Sequence, residues 1–265
     1  MKIPWKYWIL AAVIITINVV IYATQVGGPE VLAWSSTLLP VICAAAGAVA
    51  LLKGIMSFGV WDSPKIAWMA IWVGIAASGT AEGIYLVLKM ILGIDVDSIV
   101  PSLADIFWMI GYLPILAGFI MFINGYRKSG LPVGNGMKFL PAFIIAFAIA
   151  AGLILWVFSP IFEDPETEWI AKAVYFYYPL FDFFVLIPAG ILILITTQFR
   201  KGLLSIPWKL LALAILCWAA ADIAYSMLSW QDLYNEGNFI DLLWNASYLL
   251  VGAAGLYQKA LLRSV

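Results

Sequence analysis

Asp105-Ile106-Phe107-Trp108-Met109-Ile110-Gly111-Tyr112-Leu113 and Asp241-Leu242-Leu243-Trp244-Asn245-Ala246-Ser247-Tyr248-Leu249 read as one phrase written twice. Each is preceded by a second fragment, Glu82-Gly83-Ile84-Tyr85 in one case and Asp222-Ile223-Ala224-Tyr225 in the other. An acid followed by Tyr at i+3, a loop, then Asp with Trp at i+3 and Tyr at i+7 therefore recurs among residues that are otherwise apolar. Residues spaced three, four or seven apart share one helix face, so the pattern fits helices and not strands.

The surrounding composition says where such helices reside. Hydrophobic residues make up 65% of the chain and charged residues 11%, against about 25% charged in soluble domains, and the mean hydropathy is +1.01. A spanning helix needs about 20 apolar residues to cross a core about 30 Å thick. Eight segments meet that rule: Trp5 to Ala23, Val31 to Leu52, Ile66 to Leu92, Ser102 to Ile123, Phe139 to Phe158, Ile170 to Thr197, Pro207 to Trp230 and Phe239 to Leu262. The expected fold is an all-α polytopic membrane protein whose principal partner is the lipid bilayer.

Basic residues stay on the cytoplasmic side of a membrane. With the N-terminus cytoplasmic, Lys2, Lys6, Lys53, Lys65, Arg127, Lys128, Lys138, Arg200, Lys201, Lys209, Lys259 and Arg263 all fall at cytoplasmic helix ends. Only Lys89 and Lys172 do not. The opposite face gathers Glu30, Asp95, Asp97, Glu163, Asp164, Glu166, Glu168, Asp232 and Glu236. A cell-membrane protein with both termini in the cytoplasm and an acidic outer surface is expected.

The duplication extends beyond the quoted phrases. Trp68 precedes Glu82 by the same interval as Trp208 precedes Asp222, and Pro40 precedes Gly54 as Pro188 precedes Gly202. This divides the chain into two four-helix repeats, residues 1–130 and 131–265. An even number of helices per repeat makes the two parallel, related by an axis along the membrane normal.

Several functions are excluded by composition. The formal net charge is −1 with no basic face, so no nucleic-acid partner is expected. With no histidine, zinc sites and histidine-based catalysis drop out. Cys43 and Cys217 lie inside apolar spans and read as small buried hydrophobes. No catalytic residue, metal site or cofactor is expected, and the chain reads as a non-enzyme. A lipid-modifying enzyme holding a diphosphate through Mg²⁺ would need Lys or Arg beside its acids, of which the outer face has almost none.

The candidate site is the duplicated set itself: Glu82, Tyr85, Asp105, Trp108, Tyr112, Asp222, Tyr225, Asp241, Trp244 and Tyr248. Carboxylates flanked by rings, in the outer third of a membrane, suit a small cationic or amine ligand by charge and by cation–π attraction. The same residues also have a purely structural reading. First-turn acids such as Asp105 and Asp241 satisfy free helix amides, and Trp and Tyr populate the membrane interface. Asp182, after Tyr175, Tyr177, Tyr178 and Pro179, stands apart near mid-membrane. With no Lys or Arg at that depth it must be protonated, hydrogen-bonded to a tyrosine, or holding a cation, and it is the candidate for an ion pathway.

The run Ala221 to Tyr225, Asp241-Leu242-Leu243-Trp244 and Tyr248-Leu249-Leu250 resembles the integral-membrane sensory regions found N-terminal to diguanylate cyclases, phosphodiesterases and histidine kinases. The resemblance covers the duplicated helix pairs, about a third of the chain, and implies a sensing module. In those proteins an output domain follows the last helix, whereas here Leu261 to Val265 are all that remain. A signal would pass to a separate cytoplasmic or membrane partner. The competing expectations are a cation- or proton-coupled transporter or channel using Asp182, and a structural subunit of a larger complex.

Overall fold

A computed structural model describes residues 4–96, 99–129, 140–196 and 205–263. Lys2, Asp97, Lys138, Phe139, Thr197, Arg200, Lys201 and Gly202 lie outside the described residues. Eight long helices account for the architecture: α1 Trp5–Thr24, α2 Gly28–Ile55, α3 Ser63–Ile91, α4 Leu103–Lys128, α5 Leu140–Glu163, α6 Trp169–Thr196, α7 Ile206–Trp230 and α8 Asp241–Leu262. No strand occurs among the described residues. The first seven are long and apolar enough to cross a membrane. At 1.5 Å per residue, helices of 20 to 29 residues reach about 30 to 43 Å. The last turn of α3, Val87–Ile91, and the Leu153–Phe158 stretch of α5 are wound as π-helix.

Six helices close a ring in the order α2, α3, α4, α6, α7, α8 and back to α2. The seams of this ring differ in kind. At α2 against α8, backbones touch: a Cβ on Gly47 would overlap the Tyr248 carbonyl, and one on Gly54 the Gly255 carbonyl. Small residues at such crossings let helices approach closely, which is how helices associate where lipid offers no hydrophobic drive. At α3 against α4, Gly118 fills the same role, a Cβ there lying 2.7 Å from the Ala67 carbonyl. At α4 against α6 the contact is made by side chains instead, with Tyr177 donating to the Met109 carbonyl at 2.7 Å.

α1 and α5 lie outside the ring. α1 packs on α2 and α8, held by Tyr7 donating to the Leu249 carbonyl at 2.8 Å. α5 packs against α6 through Leu153, Val157 and Ile161, which also meet Ile223 and Met227 of α7. Its first half, Leu140–Gly152, buries no side chain. Phe143, Phe147 and Trp156 stay exposed, as an apolar surface in contact with lipid requires.

The two ends of the bundle carry opposite charge. Lys53, Lys65, Arg127, Lys128, Lys209, Lys259 and Arg263 mark one end, and the α3–α4, α5–α6 and α7–α8 connections with their carboxylates mark the other. The two lysines that break the pattern are engaged locally. Lys89 pairs with Glu236 of the α7–α8 connection at 2.5 Å. Lys172, buried, donates to the Phe162 carbonyl at 2.9 Å and to the Asp164 carbonyl. Near the basic end, Trp68 of α3 stacks on Trp208 of α7 across the ring, centroids 5.3 Å apart, with Phe122 edge-on to Trp208 at 4.5 Å. These rings plug that end.

Candidate functional site

Above the plug, toward the acidic end, the ring encloses a cavity of about 120 Å³. All ten residues of the duplicated pattern line it: Glu82, Tyr85, Asp105, Trp108, Tyr112, Asp222, Tyr225, Asp241, Trp244 and Tyr248. No lysine or arginine is among its described lining residues. Val96, Ile99 and Val100 of the α3–α4 connection and Tyr234 and Glu236 of the α7–α8 connection also line it.

The acids are wired crosswise. Glu82 on α3 accepts Nε1–H of Trp108 at 3.3 Å and the hydroxyl of Tyr248 at 2.8 Å. Asp222 on α7 accepts Nε1–H of Trp244 at 2.5 Å and the hydroxyl of Tyr112. Each acid thus takes its Trp from the phrase that follows it in sequence and its Tyr from the other phrase. Geometry dictates this division. Trp at i+3 and Tyr at i+7 are a full turn apart in depth, so Trp reaches the acid of the adjoining helix while Tyr reaches across the ring.

Asp105 and Asp241 are held differently. Asp105 closes a capping box, its Oδ2 accepting the Ser102 amide at 2.6 Å and hydroxyl at 2.8 Å, and its Oδ1 accepting Tyr178 of α6 at 2.6 Å. Asp241 starts α8 and accepts Tyr22 of α1 at 3.1 Å and Tyr234 at 3.0 Å. The helix-cap role read from the sequence therefore holds for Asp105, while Asp241 is fixed by tyrosines. Tyr225 stands edge-on to Tyr234 and Trp244, with centroids at 4.9 and 5.7 Å. Tyr85 lies 6.0 Å from Trp108 and receives Nζ of Lys89 at 2.9 Å.

Asp182 does not line this cavity. It lies beneath it, buried, with Oδ1 2.8 Å from the Tyr112 hydroxyl oxygen. A second, much smaller cavity of about 10 Å³ is lined by Asp182, Tyr112, Ser78, Trp218, Ile115, Val185 and Ile215. Tyr112 and Trp218 belong to both walls.

Sequence reasoning did not single out Tyr22, Tyr234, Glu236 and Trp218, or Tyr178 as the partner of Asp105. None of them is repeated in the second phrase. At the acidic surface, Asp164 binds the Thr167 hydroxyl at 2.6 Å, the Glu166 amide at 2.9 Å and Nε1–H of Trp230 at 2.7 Å. These hydrogen bonds, Thr167's first, hold its carboxyl down at about 2. The loop is thereby tied to the end of α7. No group of three or more carboxylates or cysteines placed to hold a metal ion occurs among the described residues.

No protein-family model, curated protein or solved structure matches the chain.

Proposed function

We propose that the chain is a duplicated, membrane-embedded binding module that senses a small organic cation from outside the cell and signals through a partner protein. The reading takes residues 1–130 and 131–265 as parallel repeats with cytoplasmic termini and a cavity that opens outward. The crosswise pairing of Glu82 with Tyr248 and of Asp222 with Tyr112 carries it. A ligand that draws on either acid disturbs hydrogen bonds between both halves, which is the coupling a sensor needs.

The lining defines the class of ligand. Five lining carboxylates, of which, among the described residues, Glu236 alone is paired with a lysine, Lys89, are interleaved with Trp and Tyr faces, and such a lining attracts a cation and rejects an anion. Both donors to Glu82 fall on Oε1, and Oε2 takes no donor among the described residues. The volume limits size. A cavity of about 150 Å³ holds one benzene ring, so 120 Å³ admits an alkylammonium or quaternary ammonium of about six non-hydrogen atoms. Nucleotides, peptides and whole lipids are too large.

Titration calorimetry of the full chain in lipid nanodiscs with tetramethylammonium tests the reading. Saturable binding, lost in Glu82→Gln, supports it; heats no greater than those of sodium chloride refute it. A cation- or proton-coupled transporter is the second reading, favoured by the Tyr112 bridge from Asp222 to Asp182. It predicts flux in proteoliposomes that Asp182→Asn abolishes, whereas the sensor predicts binding without flux.

A further inference from the structure

Two carboxylates share one phenol beneath the cavity. The Tyr112 oxygen lies within hydrogen-bonding reach of Asp182 Oδ1 and of Asp222 Oδ2. A phenol has a single proton to donate, so it can satisfy one carboxylate and must accept from the other. The accepting contact requires a proton on a carboxyl oxygen. Asp182 Oδ2 is meanwhile buried and has no partner among the described residues, a costly state for a carboxylate oxygen.

The surroundings offer no counter-charge. α3 contributes Ser78, whose hydroxyl is spent on the Gly74 carbonyl, and Glu82, itself a carboxylate. α4 contributes Tyr112, with Asp105 further up and occupied by Tyr178 of α6. α7 contributes Asp222, and α8 contributes Trp244 and Tyr248, which serve Asp222 and Glu82. α5 presents Leu153, Val157 and Ile161 to α6 and α7.

We propose that Asp182, Tyr112 and Asp222 form a buried proton-binding site, which holds one exchangeable proton beyond the phenol's own and loads it from the large cavity. Size selects the proton over other cations. A water needs at least about 10–15 Å³, and the cavity beside Asp182 measures about 10 Å³, which leaves no room for a hydrated ion. A bare Ca²⁺ would need six to eight oxygens and a Mg²⁺ six.

Loading follows from the chain of contacts. Asp222 lines the large cavity and takes a proton there. Its O–H bond breaks as the Tyr112 oxygen accepts that proton, and the original phenolic O–H breaks as Asp182 Oδ1 accepts the second. The net change is one proton moved from Asp222 to Asp182, with no redox partner. Beyond Asp182 the small cavity is walled by Ile115, Val185 and Ile215, with the Trp68–Trp208 plug at the basic end. Among the described residues the contacts give the proton one route, through Tyr112 and Asp222. This inference stands whether or not the cavity binds an organic cation.

Infrared spectroscopy of the ligand-free full chain in nanodiscs, with ¹³C-carboxyl aspartate, tests it. The wild type should show a protonated aspartic acid carbonyl band at neutral pH that exchanges in D₂O. Asn at either position supplies the missing N–H donor, so Asp182→Asn and Asp222→Asn should each abolish the band, and Tyr112→Phe should shift it. A wild type whose aspartates are all ionised, or a band indifferent to all three substitutions, overturns the proposal. Absence of the band in the wild type overturns the proposal even where a variant fails to fold.

Discussion

The Tyr248 hydroxyl reaches across the helix ring to Oε1 of Glu82 at 2.8 Å, while Tyr112 makes the corresponding contact to Asp222. The first bond is partly buried and the second buried, and each links two helices that are not neighbours in the ring, α8 with α3 and α4 with α7.

Removing one donor leaves a buried acceptor short of a partner, which costs about 1–3 kcal/mol. Tyr248→Phe should lower stability by that amount. Combined with Glu82→Gln, the loss should be less than the sum of the single effects, with a coupling of about 0.5–3 kcal/mol. Denaturation of the four proteins of this cycle in one detergent measures it.

The glycine seam between α2 and α8 makes a sharper contrast. Gly54→Val forces a side chain against the Gly255 carbonyl, and overpacking of this kind costs about 1–3 kcal/mol or more. Gly190 on α6 meets nothing within 4 Å where a Cβ would be, so Gly190→Ala should be neutral or gain up to about 1 kcal/mol. Melting temperatures of the two variants should fall on opposite sides of a narrow window around wild type.

How far the sequence leads is visible at these same residues. The ten acids and rings are legible because each fragment occurs twice with equal internal spacing, and helix periodicity places each on a face without knowledge of the packing order. The crosswise pairing was not legible, since spacing along a chain says which residues share a helix and not which helix lies opposite. A tyrosine is one of the three states the sequence leaves open for Asp182, beside protonation and a bound cation, and Tyr175, Tyr177 and Tyr178 stand nearer in sequence than Tyr112. Tyr112 reaches it because α4 adjoins α6 in the ring. Tyr22 and Tyr234 carry no such signal in the sequence because they lie outside the repeated fragments.

The Asp164 loop has a defined pH response. Its carboxyl sits at about 2 against an ordinary 3.8, so a depressed folded value adds stability above 3.8 and loses it as pH falls toward 2. The indole N–H resonance of Trp230, assigned with Trp230→Phe, should stay constant down to about pH 4 and move below it. In Asp164→Asn it should no longer titrate.

Lys89 sets an ammonium beside the cavity lining, 5.2 Å from the Tyr85 ring centre and paired with Glu236. It occupies the kind of environment that a cationic ligand would seek. Lys89→Met should tighten tetramethylammonium binding several-fold, and its effect on stability should stay within about 1 kcal/mol because the pair is partly exposed. Calorimetric titration of the variant against wild type reads both the direction and the size.

The most direct test of the central claim is thermal unfolding of the full chain against a panel of small ammonium ions, for wild type and for the Glu82→Gln, Asp222→Asn double variant. A ligand that binds only the folded state adds about 2.7 kcal/mol at a hundredfold excess over Kd. The account predicts such a rise in wild type for at least one ammonium ion of the size the cavity admits, and none in the double variant. A wild type indifferent to every member of the panel, or a double variant that responds equally, would contradict it.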